Sequence, residues 1–363
     1  MKKIRTSELR PGMVVCEDIY SFSNQLILPR GSILTDKTIT SLEFYSILSV
    51  KIQTEDDDNQ AFADMFAGMP DTMTYSEKIR STNVFKEFKS SFLKNSEVLE
   101  GSLKDIVENN APIDTNNLLH SVTDIISAGT TSLRVFDMLH NMRSYDDLTY
   151  VHSMSVSLIC NIFGKWLGFD DKNVQILTLA GLLHDIGKLS IDDKIIKKPD
   201  KLTNAEYNLI KTHTLQGYNI LKNQPIDDRI KEAALLHHER CDGLGYPLGY
   251  TSNRIPDFAK IVAIADVYDA MTATRVYRGP MCPFKVLAIF ESEGYLKYDP
   301  RFLLPFLDNI SSTYINNRVR LSDGREGDII MINKNFPSRP IVNIGDEAVN
   351  LLENKELYID ELL

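Results

Sequence analysis

The chain is poor in cysteine. Four occur in 363 residues, Cys16, Cys160, Cys241 and Cys282, far apart and never as a CxxC pair. That argues against a disulfide framework and against a thiolate metal site, and it fits a reducing, cytoplasmic setting. An excess of positive charge is also missing: 40 Lys and Arg stand against 50 Asp and Glu, a formal −10 at pH 7. A general DNA, RNA or anionic-membrane binder is therefore not expected, and an anionic substrate would need locally placed cations. No apolar run approaches the length of a membrane span. The opening MKKIRTSELRPGM has basic residues but no apolar core behind them, so no signal peptide is expected. The single tryptophan, Trp166 in FGKWLGF, reads as core.

What is present changes texture along the chain. Residues 1–58 read as a small β-rich accessory module, with strands at MVV (13–15), LIL (26–28) and VKI (50–52) and one helix over 35–48. The acidic run at 55–59 reads as a solvated linker. From about 74 to 310 the apolar residues recur at helical spacing, as at Val98, Leu99, Leu103, Ile106 and Val107. We divide this stretch into a helical connector, 59–140, and a helical domain, 141–317. Residues 318–363 turn β-rich again: RVRLSDGREGDIIMI alternates around Asp323-Gly324, a hairpin signal, and IVNI and LYIDEL follow. The expected fold is mainly α with small β modules at both ends, and the closing module is expected to pair with the N-terminal strands.

Two histidine groups stand out within the helical stretch. His184-Asp185 ends the apolar run TLAGLL, and His237-His238 ends KEAALL. Ionisable pairs at such places are costly unless they are partnered or hold a metal. Asp266 lies in IVAIADVYDA, another apolar run, as either a metal ligand or a buried salt-bridge partner. Asp185 has two oxygens and could bridge two ions. Together these residues suggest a mixed His/Asp site of the two-metal type, with ions about 3.5–4 Å apart. Imidazole and carboxylate suit iron or manganese first, with zinc, cobalt, nickel and magnesium also compatible. Two such ions would lower the pKa of a shared water and hold it in line with phosphorus.

The motifs HDIGK at 184–188 and HHERCDGLGYP at 237–247 resemble the HD-GYP domain, a branch of the HD metal-dependent phosphohydrolases. IPDFAKIVAIADVYDAMTATRVY at 255–277 and YDPRFLLPFL at 298–307 are similar to that family's later segments. The resemblance is strong over about 140–310, and the N-terminal unit resembles an accessory module. It implies an HD-type helical bundle around two or three metals, and hydrolysis of cyclic di-GMP to pGpG and often GMP. It implies His152, His184 and Asp266 for one ion, His213, His237 and His238 for the other, and Asp185 as the bridge. Lys188 matches a lysine beside the scissile phosphate, and Arg275 an arginine that holds phosphate. Members with three metals carry a glutamate where this chain has Leu148, so two metals are expected. The resemblance also suggests diguanylate cyclase domains as partners at the GYP loop.

In the chemistry this implies, Asp185 fixes the metal spacing and is either a ligand alone or also a proton acceptor. Lys188 either caps a helix end or neutralises phosphate oxygens. Gly243 and Gly245 let the loop approach a ligand closely, and Tyr246 is placed either to stack on a guanine or to pack against the bundle. Glu239 and Asp242 are expected to orient the double histidine, and Asp269 and Thr272 to hold their helix in register. The rival readings are a sensor or scaffold that binds the dinucleotide without cleaving it, and a phosphodiesterase for another cyclic dinucleotide.

Overall fold

Alternating β-branched residues and a short amphipathic helix build the first unit, residues 1–71. The computed structural model describes every residue except 1, 11–12, 14, 18, 21–25, 29–33, 35, 46, 53–68, 71–72, 128–131, 143–148, 199, 274–280, 316 and 346. Strand β1 (Lys2–Arg5) pairs antiparallel with β4 (Ser49–Ile52), and β2 (Ile19–Tyr20) with β3 (Leu26–Leu28). Helix α1 (Asp36–Phe44) lies between β3 and β4 in sequence. Leu9, Val15, Leu34, Leu42, Val50 and Ile52 belong to its core. The helix expected over 35–48 is shorter because Ile47 N–H returns to Leu42 O, which closes it. The chain then enters β4, where Val50 and Ile52 alternate inward. Of MVV, Val15 makes only an isolated bridge to Ile52. The acidic run at 55–59 lies outside the described residues.

The second unit, residues 72–363, is helical with a closing sheet. Helix α2 (Tyr75–Ser81) opens on a Thr74/Glu77 capping box. Helix α3 (Asn83–Asn109) buries Phe85, Phe88, Phe92, Leu99, Leu103 and Ile106 along one stripe, while Val98 faces solvent. Asn110, at φ 51, ends it in the left-handed region. Helices α4 (Thr115–Ser127) and α5 (Ser132–Met142) follow. Trp166, read as core, is half-buried and stacks on Phe136 of α5 at 5.3 Å.

The centre of the bundle is set by α6 (Thr149–Trp166), packed along α7 (Asp171–Leu183). After α7 come α8 (Asp193–Ile196), α9 (Asn204–Lys211), α10 (His213–Leu221), α11 (Asp228–Leu236) and α12 (Asp257–Thr272). Helices α6 and α12 are buried on nearly every side, as expected of helices that are apolar all round. Helices α13 (Pro283–Ile289), α14 (Tyr295–Lys297) and α15 (Pro300–Ser312) complete the layer. Lys260 of α12 reaches Asp299 at the start of α15, 2.8 Å away and buried, which fixes the height of α12 in the bundle.

The closing sheet is five-stranded and antiparallel, in the order β8-β7-β6-β5-β9. Its strands are β5 (Arg318–Leu321), β6 (Glu326–Met331), β7 (Ile341–Ile344), β8 (Glu347–Asn350) and β9 (Ile359–Leu362). The Asp323-Gly324 hairpin forms as expected, with Gly324 at φ 88. The expected pairing with the N-terminal strands does not occur among the described residues. The last strand, β9, takes the edge of β5 instead.

Candidate metal centre

The candidate ligands sit mostly at helix ends. His184 caps the C-terminus of α7, and Asp185 follows at φ −101 and ψ 9, the sparsely populated bridge region. His213 opens α10, and His237 caps α11 with His238 next to it. His152 lies in the first turn of α6, and Asp266 lies within α12. The C-termini of α7 and α11 therefore point their carbonyl ends at this site, a favourable field for cations.

Those helix ends also aim the imidazoles. His184 Nδ1–H donates to Gly181 O at 2.7 Å, and His237 Nδ1–H donates to Ala233 O at 2.9 Å. His213 Nδ1–H donates to Ile210 O at 2.7 Å, a last-turn carbonyl of α9. A carbonyl can only accept, so each Nδ1 carries the proton and each neutral ring presents a bare Nε2. His152 differs: its Nδ1–H donates to Asp269 Oδ2 at 2.8 Å and its Nε2 faces Asp266 Oδ1 at 3.0 Å, so this ring holds a proton on both nitrogens until a cation replaces the one on Nε2.

The ring nitrogens and the carboxylates converge in two groups. His152, His184 and Asp266 form one, and Asp185, His213, His237 and His238 the other, each with ligand atoms within 4.8 Å of one another. Asp185 spans both. Its Oδ2 lies 3.2 Å from His184 Nε2 and 3.6 Å from His152 Nε2, while its Oδ1 lies 3.3 Å from His213 Nε2 and 3.8 Å from His237 Nε2. Asp266 Oδ1 lies 3.0 Å from His152 Nε2. Two atoms bound to one ion at about 2.0–2.2 Å would sit at such separations.

The residues fit divalent ions on their own chemistry. His213 Nε2 and His237 Nε2 face each other at 3.3 Å, yet neither carries the proton. A proton on one of them would bridge the pair, but the site disfavours it. Burial, then the charges around it, holds His237 well below its usual value, and burial likewise lowers His213. His184 Nε2 and Asp185 Oδ1 are buried without a hydrogen-bond partner. Each such atom costs about 1–3 kcal/mol if nothing meets it. Burial would raise the Asp185 carboxyl, but His184 and Lys188 outweigh it and hold the group ionised, well below the usual range. Burial works the same way on Asp266, where the hydrogen bond from His152 prevails. Bare imidazoles and ionised carboxylates are the forms that ligate divalent cations.

Around the ligands, Lys188 Nζ donates to Asp185 Oδ2, and its side chain remains partly exposed. The Tyr246 ring stacks on His238 at 4.6 Å between centroids. Gly245 lies against the 238–240 backbone, so closely that a Cβ would come within 2.4 Å of Arg240 N. Arg275 and the 146–148 positions lie outside the described residues. Glu239 does not touch the histidine rings: its carboxylate accepts from Leu248 N–H at 2.7 Å and Tyr250 N–H at 2.9 Å. Asp242 pairs with Arg240 and accepts from Leu244 N–H within its own turn. The contact from Asp269 to His152 was not anticipated. Its signal was available, since Asp269 follows Asp266 by three residues and shares its helix face.

Comparison with known proteins places this arrangement. Residues 135–302 match the HD domain family model. A cyclic di-GMP phosphodiesterase of Pseudomonas aeruginosa is 28% identical over 340 residues, covering 91% of this chain and 81% of that protein. A cyclic di-GMP phosphodiesterase of Thermotoga maritima is 37% identical over 176 residues, 48% of each chain. The 3′3′-cGAMP-specific phosphodiesterase 1 of Vibrio cholerae is 39% identical over 145 residues, 40% of this chain and 34% of that protein. The chain thus spans about half or less of the last two relatives. No helix among the described residues is long and apolar enough to cross a membrane. The chain thus carries an HD domain over residues 135–302, with the HD pair and the GYP loop both at the site, as the resemblance to the HD-GYP branch implied.

Proposed function

We propose that this chain is a metal-dependent phosphodiesterase that hydrolyses a 3′-5′ bond of cyclic di-GMP to give pGpG, with GMP as a further product. The observation that carries this reading is Asp185, whose two oxygens each face a different group of imidazole nitrogens. Two ions held there would supply Lewis acidity and a low-pKa water. The chain's own residues do the rest. Asp185 sets the spacing of the groups and can accept a proton. Lys188, paired to it, neutralises a phosphate oxygen, and Arg275 holds a phosphate. Tyr246 and Gly245 border the bound dinucleotide, and burial of the imidazoles excludes bulk water. Iron or manganese is the metal we favour, because imidazole outnumbers carboxylate among the ligands. The division at 58, 140 and 317 belongs to the same reading, as does a diguanylate cyclase domain as partner.

A second substrate has specific support, because one relative is named for 3′3′-cGAMP. The test is a product assay on anaerobically purified chain loaded with ferrous iron or manganese. Cyclic di-GMP and 3′3′-cGAMP are supplied separately, and pGpG is resolved from GMP. Turnover of cyclic di-GMP to pGpG is the expected result. Faster turnover of 3′3′-cGAMP would reassign the substrate. Tight binding without turnover of either would make the chain a sensor or scaffold.

A further inference from the structure

Four of the five imidazoles at this centre are fixed by a hydrogen bond from Nδ1, to Asp269, Gly181, Ile210 or Ala233. His238 is the exception. Among the described residues no hydrogen bond holds its ring, and its side chain is 25% exposed, against 7% or less for the other four. Metal-ligating histidines nearly always lean on a second group that fixes the ring. What His238 leans on is Tyr246, stacked at 4.6 Å with 28° between the planes. The same phenol ring meets His213 edge-on at 6.4 Å, so it touches two ligands of the same group.

Tyr246 is itself held. Its N–H donates to His238 O at 3.2 Å, which folds the loop back on the double histidine. Gly245 makes that fold possible, since a Cβ there would meet Glu239 Cα at 2.5 Å. The far limb of the loop is fastened by Glu239, which is buried and binds the N–H groups of Leu248 and Tyr250. We infer that the GYP loop, fastened by Glu239, is a clamp whose Tyr246 ring positions His238 and thereby sets the affinity of the second ion alone. Tyr246 and Glu239 are thus positioning residues. The inference rests on the two-metal reading and adds a selective role to it. Tyr246 makes no contact with the group of His152, His184 and Asp266 among the described residues, and His238 Nδ1 stands 3.9 Å from Asp266 Oδ2, beyond hydrogen-bond reach, so that group should keep its ion when the ring is lost.

The test counts metal. Full-length chain is saturated with manganese and desalted, and bound ions per chain are measured together with chelator-competition affinities. The parent should hold two ions. Tyr246→Ala should hold about one, with the affinity of the lost ion weakened about 10–100-fold, the usual cost of removing a group that fixes a ligand. Tyr246→Phe keeps the ring and should hold two. Glu239→Gln keeps the volume but can accept through only one oxygen, and it should weaken the same ion and leave the other untouched. Retention of one ion at parental affinity serves as the folding control, which a general structural defect would not pass. If Tyr246→Ala fails that control, Glu239→Gln answers the same question. Two ions at parental affinity in both variants would overturn the clamp and leave the two-metal reading standing. So would a loss in Tyr246→Phe as large as in Tyr246→Ala. Fewer than two ions in the saturated parent would overturn both.

Discussion

Asp269 takes the Nδ1–H of His152 at 2.8 Å, although 117 positions separate the two in sequence. The contact joins α12 to the first turn of α6 and fixes which nitrogen of His152 faces Asp266. Asp269→Asn keeps the shape but loses the charge that makes the imidazole a stronger donor to metal. The expected outcome is a loss of about 10–100-fold in affinity for one ion, with an unchanged far-UV spectrum. Chelator competition on the manganese-loaded variant measures it, and parental affinity would show that Asp269 only packs.

Gly187 should be the least tolerant position of the HDIGK stretch. A Cβ there would lie 1.9 Å from His213 O and 2.5 Å from Gly217 N, both backbone atoms that cannot swing aside. Gly187→Ala must therefore push α10 away from the turn that carries Asp185, and His213 moves with it. Overpacking of this kind costs about 1–3 kcal/mol even where side chains can yield. A lowered unfolding midpoint together with loss of bound metal is expected. A variant that is destabilised yet retains both ions would show that α10 can shift without disturbing His213.

The ligand-type residues of the centre were legible in the sequence because imidazoles and acids at the ends of apolar runs have no inexpensive place in a core. His184, Asp185, His237, His238 and Asp266 announce themselves in that way, while His152 and His213 entered only through the family resemblance. The close approach at Gly187 was not legible, since the atoms that forbid a side chain belong to α10 and not to its own neighbours in sequence. Glu239 was expected to orient the double histidine; its own contacts are with the backbone of a loop that no periodicity describes, so any hold on His238 runs through that loop. The helices and the Asp323-Gly324 hairpin followed from spacing and turn chemistry. The partner of the closing sheet did not, because strand pairing is a long-range choice that β9 won.

In metal-free chain the same imidazoles should create a pH optimum. Burial, then nearby charge, holds His237 well below its usual 6.5; burial also lowers His213 and takes His238 down to about 3. Below pH 6.5 the unfolded chain binds protons that the folded chain refuses, so stability falls as pH drops from 6.5 toward 3. His152 has the opposite sign. Burial lowers it, but hydrogen bonds to Asp266 and Asp269 outweigh burial and lift it to about 9. Its contribution is complete below pH 6.5 and is lost as pH rises through about 9. Urea unfolding of chelator-stripped protein should show a maximum near pH 6.5 with a falling limb on each side. Metal should flatten the alkaline limb, where His152 then meets a cation in place of a proton. A steady rise in stability across the whole range would contradict these signs.

Lys188 separates chemistry from scaffold most sharply. Its ammonium donates to Asp185 Oδ2, yet its side chain is partly exposed and also lines a cavity of about 260 Å³ with Lys104, Glu108, Tyr150 and Asp193. Asp185 need not depend on that contact once ions are bound, because the nitrogens of His184 and His213 lie 3.2 and 3.3 Å from its two oxygens, the separation of atoms that share an ion. Lys188→Met should therefore leave both ions in place and lower turnover about 10²–10³-fold, the scale of losing one preorganised charge at a reacting phosphate. His184→Ala and Asp185→Ala should instead abolish turnover and lower metal content, with the helical fold largely kept. Metal analysis beside single-turnover rates distinguishes the two outcomes. If Lys188→Met emptied the site, its ammonium would be holding Asp185 in position and the phosphate would need another partner.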